Sequence, residues 1–230
     1  MRLRTDIKHI ILERKGSQMT KEEAKQLKDL IDKMTEENGE IPFLKSDDVK
    51  EATEDQYVEL GSLEPGDKFS WNGWTLTVLD KREDGVFVLT DEVVDNMSFD
   101  TDDCNNWKTS TLRRYLNNKF KEGLDDKDKL VEFERDLTSE DGLKDYGTCM
   151  DYVSLITTEE YRKYRYLIDN KDDWWWTCTA YSTPTSGNSI NARIVHTDGS
   201  LNDYYAFYGL NGVSPAYVLL SSLKVRRVSK

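Results

Sequence analysis

The sequence predicts an α+β domain of small antiparallel sheets and two helices, preceded by an N-terminal helix and an extended arm. Three observations favour this class. Runs of β-branched and aromatic residues are separated by Asn-Gly and Asp-Gly dipeptides, which is typical of strands joined by tight turns. Two later segments place apolar residues at helical spacing. The first 59 residues instead predict one amphipathic helix followed by an acidic stretch with little periodicity, so we assign residues 1–59 to the helix and arm, for attachment or oligomerisation, and residues 60–230 to the compact domain.

The N-terminal helix is predicted from a start signal and an apolar stripe. Thr20 and Glu23 have the spacing of a capping box. The stripe then runs to Gly39 and consists of Ala24, Leu27, Ile31 and Met34. It spans barely two heptads, which suits either self-association or packing on the protein's own domain. Residues 40–57 are acidic with little periodicity, which indicates a linker or arm.

The compact domain is predicted to begin with a three-stranded meander. Asn72-Gly73 separates two aromatic and β-branched runs, and Asp84-Gly85 precedes the run 86–89. Because this third run is almost entirely apolar, we expect its strand to be central.

Two helices and a group of C-terminal strands follow. Apolar residues recur at helical spacing within 107–120, where Thr109 or Ser110 can cap the helix. A second helix is predicted over Thr158–Tyr166, because a threonine precedes two glutamates in its first turn. Strands are then predicted over 174–179, 191–196 and 214–220, with a turn at Asp198-Gly199.

Composition excludes several classes of protein. A net charge of −12 argues against nucleic acid as a partner, because phosphates would be repelled. The apolar run 7–12 is too short for a signal peptide or membrane anchor, so we expect synthesis in the cytoplasm and no membrane insertion. Only His9 and His196 are present, and no serine or cysteine triad is evident, so we predict no catalytic residues.

A calcium site is the one metal site that the sequence suggests. Aspartates cluster in a loop-like stretch at Asp95, Asp100, Asp102 and Asp103. Carboxylate oxygens on a flexible segment suit calcium, but the spacing fits no EF-hand. The alternative is a solvated acidic run without metal.

Tyrosine enrichment at the C-terminal end predicts a binding surface. Ten of the twelve tyrosines follow residue 145, interleaved with Ser, Asn, Gly and Thr, which is the composition of binding loops. Strand alternation puts Tyr205 and Phe207 on one face and Tyr204, Ala206 and Tyr208 on the other. We expect Trp175, Phe207, Val213 and Val218 to point inward. We assign the ligand face to Tyr181, Asn188, Asn191, Tyr204, Tyr208 and Asn211.

Four blocks of the chain, in order, resemble a domain of unknown function common in Gram-positive gut bacteria and their phages. The blocks are GDKFSWNGWTLTVLD, FDTDDCNNWKTSTLRRYLNNKF, VSLITTEEY and the segment from WWWTCTAY to SPAYVLL. Members of that domain carry W-x-x-S-x-L-R-x-W-L-N, then W-W-L-R-S-P, then G-V-R-P-A. This chain departs from the pattern at Tyr115, at Thr177–Thr179 and at Ser214, so an arginine-dependent role of the family is not expected here.

The resemblance implies a C-type-lectin-like fold, similar to relatives of the formylglycine-generating enzyme and to proteins diversified by phage retroelements. It implies a phage-encoded, virion-associated protein that presents its C-terminal surface to a host protein or glycan. Residues 1–60 would then contact phage structural proteins or sister subunits. One alternative is a structural virion decoration or adaptor protein. A second is a formylglycine-generating-like oxidase, which would need Cys149 and Cys178 as a reactive, copper-binding pair.

Overall fold

The computed structural model describes residues 57–228, which belong to the compact unit Asp55–Lys230. Apart from residues 57–59, the predicted N-terminal helix and arm lie outside the described residues. The described part is mixed α+β, with mostly antiparallel strands and two short α-helices, which confirms the predicted class. None of its helices has both the length and the apolar character needed to cross a membrane.

The described residues contain fifteen strands and two α-helices. In chain order the strands are β1 (Tyr57–Glu59), β2 (Lys68–Trp71), β3 (Trp74–Lys81), β4 (Val86–Thr90), β5 (Asp95–Asn96), β6 (Leu130–Val131), β7 (Phe133–Asp136), β8 (Thr148–Asp151), β9 (Val153–Ser154), β10 (Trp175–Ala180), β11 (Asn191–Val195), β12 (Leu201–Tyr205), β13 (Gly212–Val213), β14 (Ala216–Leu219) and β15 (Lys224–Val228). The helices are α1 (Thr111–Tyr115), extended by a π-helical turn (Leu116–Phe120), and α2 (Thr158–Tyr164). Short 3-10 turns occupy Leu60–Ser62, Trp107–Thr109, Lys127–Lys129, Arg165–Leu167 and Pro184–Ser186.

The strands form three sheets. The largest has the order β1-β15-β2-β3-β4-β14-β6, and β9 also pairs with β14. The second has the order β12-β11-β10-β13-β5, in which only β10 and β13 are parallel. The strands β7 and β8 form a separate pair. Because β1 pairs with β15, residues 57–59, which we assigned to the arm, lie in the large sheet.

The predicted meander is present as β2, β3 and β4. Asn72 and Gly73 both have positive φ, and Trp71 pairs with Trp74 across this turn. Such a turn matches the twist of the two strands it joins. Every residue of β4 is buried, and the strand lies between β3 and β14, as predicted for a central strand.

Both predicted helices begin at the residues that their caps indicate. The Ser110 side chain accepts a hydrogen bond from the Arg113 backbone and caps α1. Thr157 and Glu160 form a complete capping box at α2. Local hydrogen-bonding chemistry therefore decides where each helix starts.

The W-x-x-S-x-L-R motif holds the scaffold together around one buried carboxylate. Asp151 is fully buried and accepts hydrogen bonds from Trp107 Nε1 at 2.7 Å and Arg113 Nε at 2.6 Å. Asn117, four positions after the arginine of this motif, forms hydrogen bonds with the backbone of Tyr152 and Val153 on the adjoining segment. The motif thus ties α1 to the end of β8 and the start of β9.

Substitution of Asp151 tests this role. Asp151→Asn keeps the side-chain shape but removes the charge that faces Arg113. We expect a loss of about 3 kcal/mol in the free energy of unfolding, measured by urea denaturation. The control Glu134→Gln changes an exposed carboxylate on β7 and should shift it by less than about 0.5 kcal/mol. Equal effects of the two substitutions would contradict a structural role for the motif.

The core contains most of the large rings. Phe99 packs against Trp107 and Trp176 with ring centroids 5.6 and 5.7 Å apart. Of the residues predicted to point inward, three are buried: Trp175, Val213 and Val218. Phe207, the fourth, is not.

Candidate functional site

A continuous set of rings runs along the five-stranded sheet from the start of β10 to the turn after β12, and we call it the aromatic strip. Trp174 immediately precedes β10 and His196 immediately follows β11, while the other members come from the end of β12 and the turn after it. The members are Trp174, His196, Tyr204, Tyr205, Phe207 and Tyr208. The sheet therefore brings together rings that are up to 34 positions apart in sequence (208 − 174).

The strip is held by ring contacts from end to end. Trp174 stacks on His196 at 4.1 Å and contacts Tyr204 at 6.2 Å. Tyr204 in turn contacts Tyr208 at 4.5 Å and Tyr205 at 6.2 Å. Tyr205 then stacks on Phe207 at 5.9 Å. Since each ring supports the next, the exposed members are held in fixed positions at low entropic cost.

The strip has an inner and an outer layer. Tyr204 is half-buried and packs against the core, and Tyr208 is half-buried beside it. Tyr205 and Phe207 are 49% and 54% exposed. Trp174 is 37% exposed, and the nearby Leu210 is 65% exposed.

This layering corrects our prediction for Phe207, which points outward, and shows that Tyr204, predicted to face a ligand, packs partly on the core. Tyr208 is half-buried, and its assignment to the ligand face stays a prediction. Ala206 sets the phase of the strand alternation, since it is completely buried and its N–H donates to Ile190 at 2.7 Å. Its carbonyl also accepts from the Asp100 N–H. A small residue is fixed at the core, so the larger neighbouring rings turn outward.

Asn211 is a second correction. It was predicted to face a ligand, but only 2% of its surface is exposed. Asn211 directly precedes β13, and its backbone carbonyl accepts a hydrogen bond from Met97 N at 3.2 Å. The asparagine is enclosed because β13 is an inner strand, between β10 and β5.

Of the other three predicted residues, Tyr181 follows β10, Asn188 precedes β11, and Asn191 begins β11, where it pairs with Tyr205 of the strip. Tyr181 and Asn188 line a cavity of about 260 Å³ together with Glu140, Asp141, Ser182 and Ser186. The Asn188 side chain accepts from the backbone of Ile190 and Asn191, so it shapes its own turn. Asn191 is half-buried and donates to Asp203 Oδ2 at 2.5 Å.

Three of the four aspartates proposed for calcium have structural partners. Asp100 is buried and accepts from the Thr111 N–H and hydroxyl at 3.0 and 2.7 Å, at the start of α1. Asp103 accepts from the Phe207 N–H at 3.3 Å, and Asp95 from the Tyr115 hydroxyl. Asp102 is exposed. Within residues 57–228, no group of three or more His, Cys, Asp or Glu side chains is placed to hold a metal ion.

Burial disfavours the thiolate form of the two buried cysteines. Burial raises the pKa of Cys149 to about 11 and the pKa of Cys178 to about 11, although Arg135 lies 3.5 Å from the Cys178 sulfur. Nucleophilic attack and metal binding both need the thiolate. The His196 ring stacks on the Trp174 ring at 4.1 Å.

Two exposed apolar residues of this surface were missed by the sequence reasoning. Trp174 is the first of three consecutive tryptophans, and only its two followers, Trp175 and Trp176, are buried. Leu210 lies between Gly209 and Asn211, so an exposed turn was foreseeable there. The exposure of Trp174 depends on where β10 begins, which the apolar run does not mark.

No protein-family model, curated protein or solved structure matches this chain. The site is therefore defined by its geometry: a rigid, partly exposed aromatic surface that extends from the start of β10 to the turn after β12.

Proposed function

We propose that this protein is a non-enzymatic ligand-binding protein and that the aromatic strip is its ligand surface. The observation that carries the proposal is the exposure of Tyr205 and Phe207, supported by an inner layer of half-buried rings. Large rings in fixed positions supply most of the binding energy at protein interfaces. Exposed, contiguous apolar patches on a folded domain mark interaction sites.

The fold proposed for this domain is C-type-lectin-like. Mixed sheets with two short helices and a surface built from C-terminal strands and turns support it. In such an arrangement the sheets and helices form a rigid scaffold, and the segment after β12 carries the contacts to a ligand. The rings of the outer layer fit that segment.

A bacterial surface component is the ligand that we propose, either a protein or a glycan. The four-block resemblance to a phage-associated domain supports a virion protein that meets its host at this surface. Aromatic rings suit both kinds of ligand, since they pack on the apolar faces of sugars and on apolar side chains. We propose that the chain reaches the host as part of the virion.

Binding to intact Gram-positive gut bacteria tests the proposal. Fluorescently labelled protein is incubated with a panel of strains, and binding is measured by flow cytometry. We expect at least one strain to be bound, and Phe207→Ser to weaken that binding about thirtyfold, which corresponds to about 2 kcal/mol for a central ring.

A matched variant distinguishes binding by the aromatic strip from non-specific adhesion through exposed rings. Tyr166 is 80% exposed in the 3-10 turn that follows α2, outside the strip. Tyr166→Ser should leave binding unchanged. Equal losses for the two substitutions, or no binding to any strain, would overturn the proposal and favour a structural role within the virion.

A further inference from the structure

The strand β12 forms an open edge of the five-stranded sheet. Within residues 57–228 no strand pairs with its outer side. It contains five residues, whereas the strand at the other end of this sheet, β5, contains two. The terminal strands of the large sheet, β1 and β6, contain three and two. Long unpaired edges are templates for pairing with another chain.

The direction of the free backbone groups follows from two hydrogen bonds that flank the β11–β12 ladder. His196 N donates to Ser200 O, and Ala206 N donates to Ile190 O. With the observed register, antiparallel alternation then directs the backbone of residues 202 and 204 toward β11. The backbone of residues 201, 203 and 205 is therefore directed to the open edge.

This edge lacks part of the usual protection. Natural edges are blocked by charged side chains, especially lysine, by proline or by bulges. The β12 sequence LNDYY contains neither lysine nor proline, and its one charged residue, Asp203, pairs with Arg193. Two groups on the edge have local partners: the Asp203 N–H donates to Asn202 Oδ1, and the Tyr205 carbonyl accepts from Tyr208 N. The Tyr205 N–H and the Leu201 backbone still face outward.

The charge around the edge selects the kind of partner. Residues 196–212 include Asp198 and Asp203 but no lysine or arginine, in a chain of net charge −12. Two arginines lie beside this segment: Arg193, whose side chain is 12% exposed and is paired with Asp203 and Glu140, and Arg165, whose guanidinium lies against Gly199 and donates to Asn170 and the Ile168 carbonyl. The incoming segment should therefore carry cations, which the exposed ring of Phe207 also favours.

We propose that β12 is a docking edge for an extended, lysine- or arginine-bearing segment of a partner protein, which adds to the sheet as a further strand. Main-chain hydrogen bonds to the Leu201 backbone and the Tyr205 N–H supply affinity, and contacts with Tyr205 and Phe207 supply specificity. The inference rests on the proposed function, because it names the ligand class of the same surface as a polypeptide rather than a glycan.

Three synthetic peptides test the inference. The probes are acetyl-KVKVKV-amide, the same peptide with glutamate in place of lysine, and the lysine peptide N-methylated at every backbone nitrogen. Each is titrated into the full chain and followed by amide chemical shifts. We expect the lysine peptide to shift the amides of residues 201, 203 and 205, and both other peptides to bind at least about tenfold more weakly.

A pair of lysine substitutions in the protein tests whether charge at the β12 edge controls binding of the lysine peptide. Asn202→Lys places a cation on the exposed edge and should weaken binding of the lysine peptide about tenfold. Ser222→Lys makes the same charge change in the exposed loop between β14 and β15 and should have no effect. Equal effects would overturn the inference.

Failure of this inference is distinguishable from failure of the proposed function. No binding of the lysine peptide, or equal binding of its N-methylated form, overturns strand addition. If bacterial cells are then still bound in a Phe207-dependent way, the aromatic strip remains a ligand surface, and its ligand is a glycan or a folded protein face.

Discussion

Glu160→Gln is expected to lower the free energy of unfolding by about 3–5 kcal/mol, because it leaves a buried arginine without its counter-charge. Arg135 is only 2% exposed, and its guanidinium forms two hydrogen bonds with the Glu160 carboxylate, at 2.9 and 2.6 Å. Glutamine preserves the capping box of α2, so the substitution isolates the ion pair from the helix cap. Urea denaturation at pH 7 measures the effect.

The pH dependence of stability checks the same ion pair. Burial alone would raise the pKa of Glu160, but the charge and hydrogen bonds of Arg135 lower it below the ordinary value of 4.5. A carboxyl group whose pKa is lowered on folding stabilises the protein above its unfolded pKa, and this contribution is lost as the pH falls through the folded pKa. The wild-type protein should therefore lose stability below pH 4.5, and Glu160→Gln should lose less over the same interval.

The neighbouring glutamate provides the control. Glu159 is exposed in the same helical turn, so Glu159→Gln should cost less than about 1 kcal/mol through the helix dipole alone. A loss below about 1 kcal/mol for Glu160→Gln would show that the buried pair contributes little, against the expectation for an enclosed charge.

Trp176→Ala is expected to lower the free energy of unfolding by about 3–5 kcal/mol, whereas Trp174→Ala should change it by less than about 1 kcal/mol. Trp176 is completely buried, packs on Phe99, and donates from Nε1 to the Met97 carbonyl at 2.9 Å. Its removal leaves a cavity and an unpaired carbonyl. Trp174, two positions earlier, has a solvent-exposed edge and belongs to the aromatic strip.

Calorimetry measures the melting temperature of each variant, and a binding assay measures its ligand affinity. Trp174→Ala should weaken ligand binding while the melting temperature changes little. If Trp174→Ala destabilised the protein as much as Trp176→Ala, the strip would be part of the core and not a surface.

Local signals in the sequence predicted the elements well. The Asn72-Gly73 turn and the Ser110 cap depend on residues within a few positions of each other, and both are present as predicted. The class of the domain followed from such signals, because turns and caps divide the chain into elements whatever their later packing. The motif around Trp107 was visible as a pattern, but its partner Asp151 was not, since the two are 44 positions apart.

The site was predicted less well, because it depends on contacts between distant segments. Alternation correctly separated the two faces of the segment after β12, but Ala206 decides which face packs inward through bonds to Asp100 and Ile190. When both faces of a strand carry large rings, alternation alone does not show which face packs on the core. Asn211 was misplaced for a similar reason, since its burial depends on the pairing of β13 with β5.

The most direct test measures ligand affinity and unfolding free energy on the same Tyr205→Ser/Phe207→Ser double variant, with Tyr204→Ser beside it. The account predicts binding weakened at least about a hundredfold in the double variant, with less than about 1 kcal/mol lost in stability. Tyr204→Ser should mainly destabilise the fold, because Tyr204 packs on the core. Unchanged binding in the double variant, or a loss of several kcal/mol in its unfolding free energy, would contradict the division of the strip into supporting and ligand-binding rings.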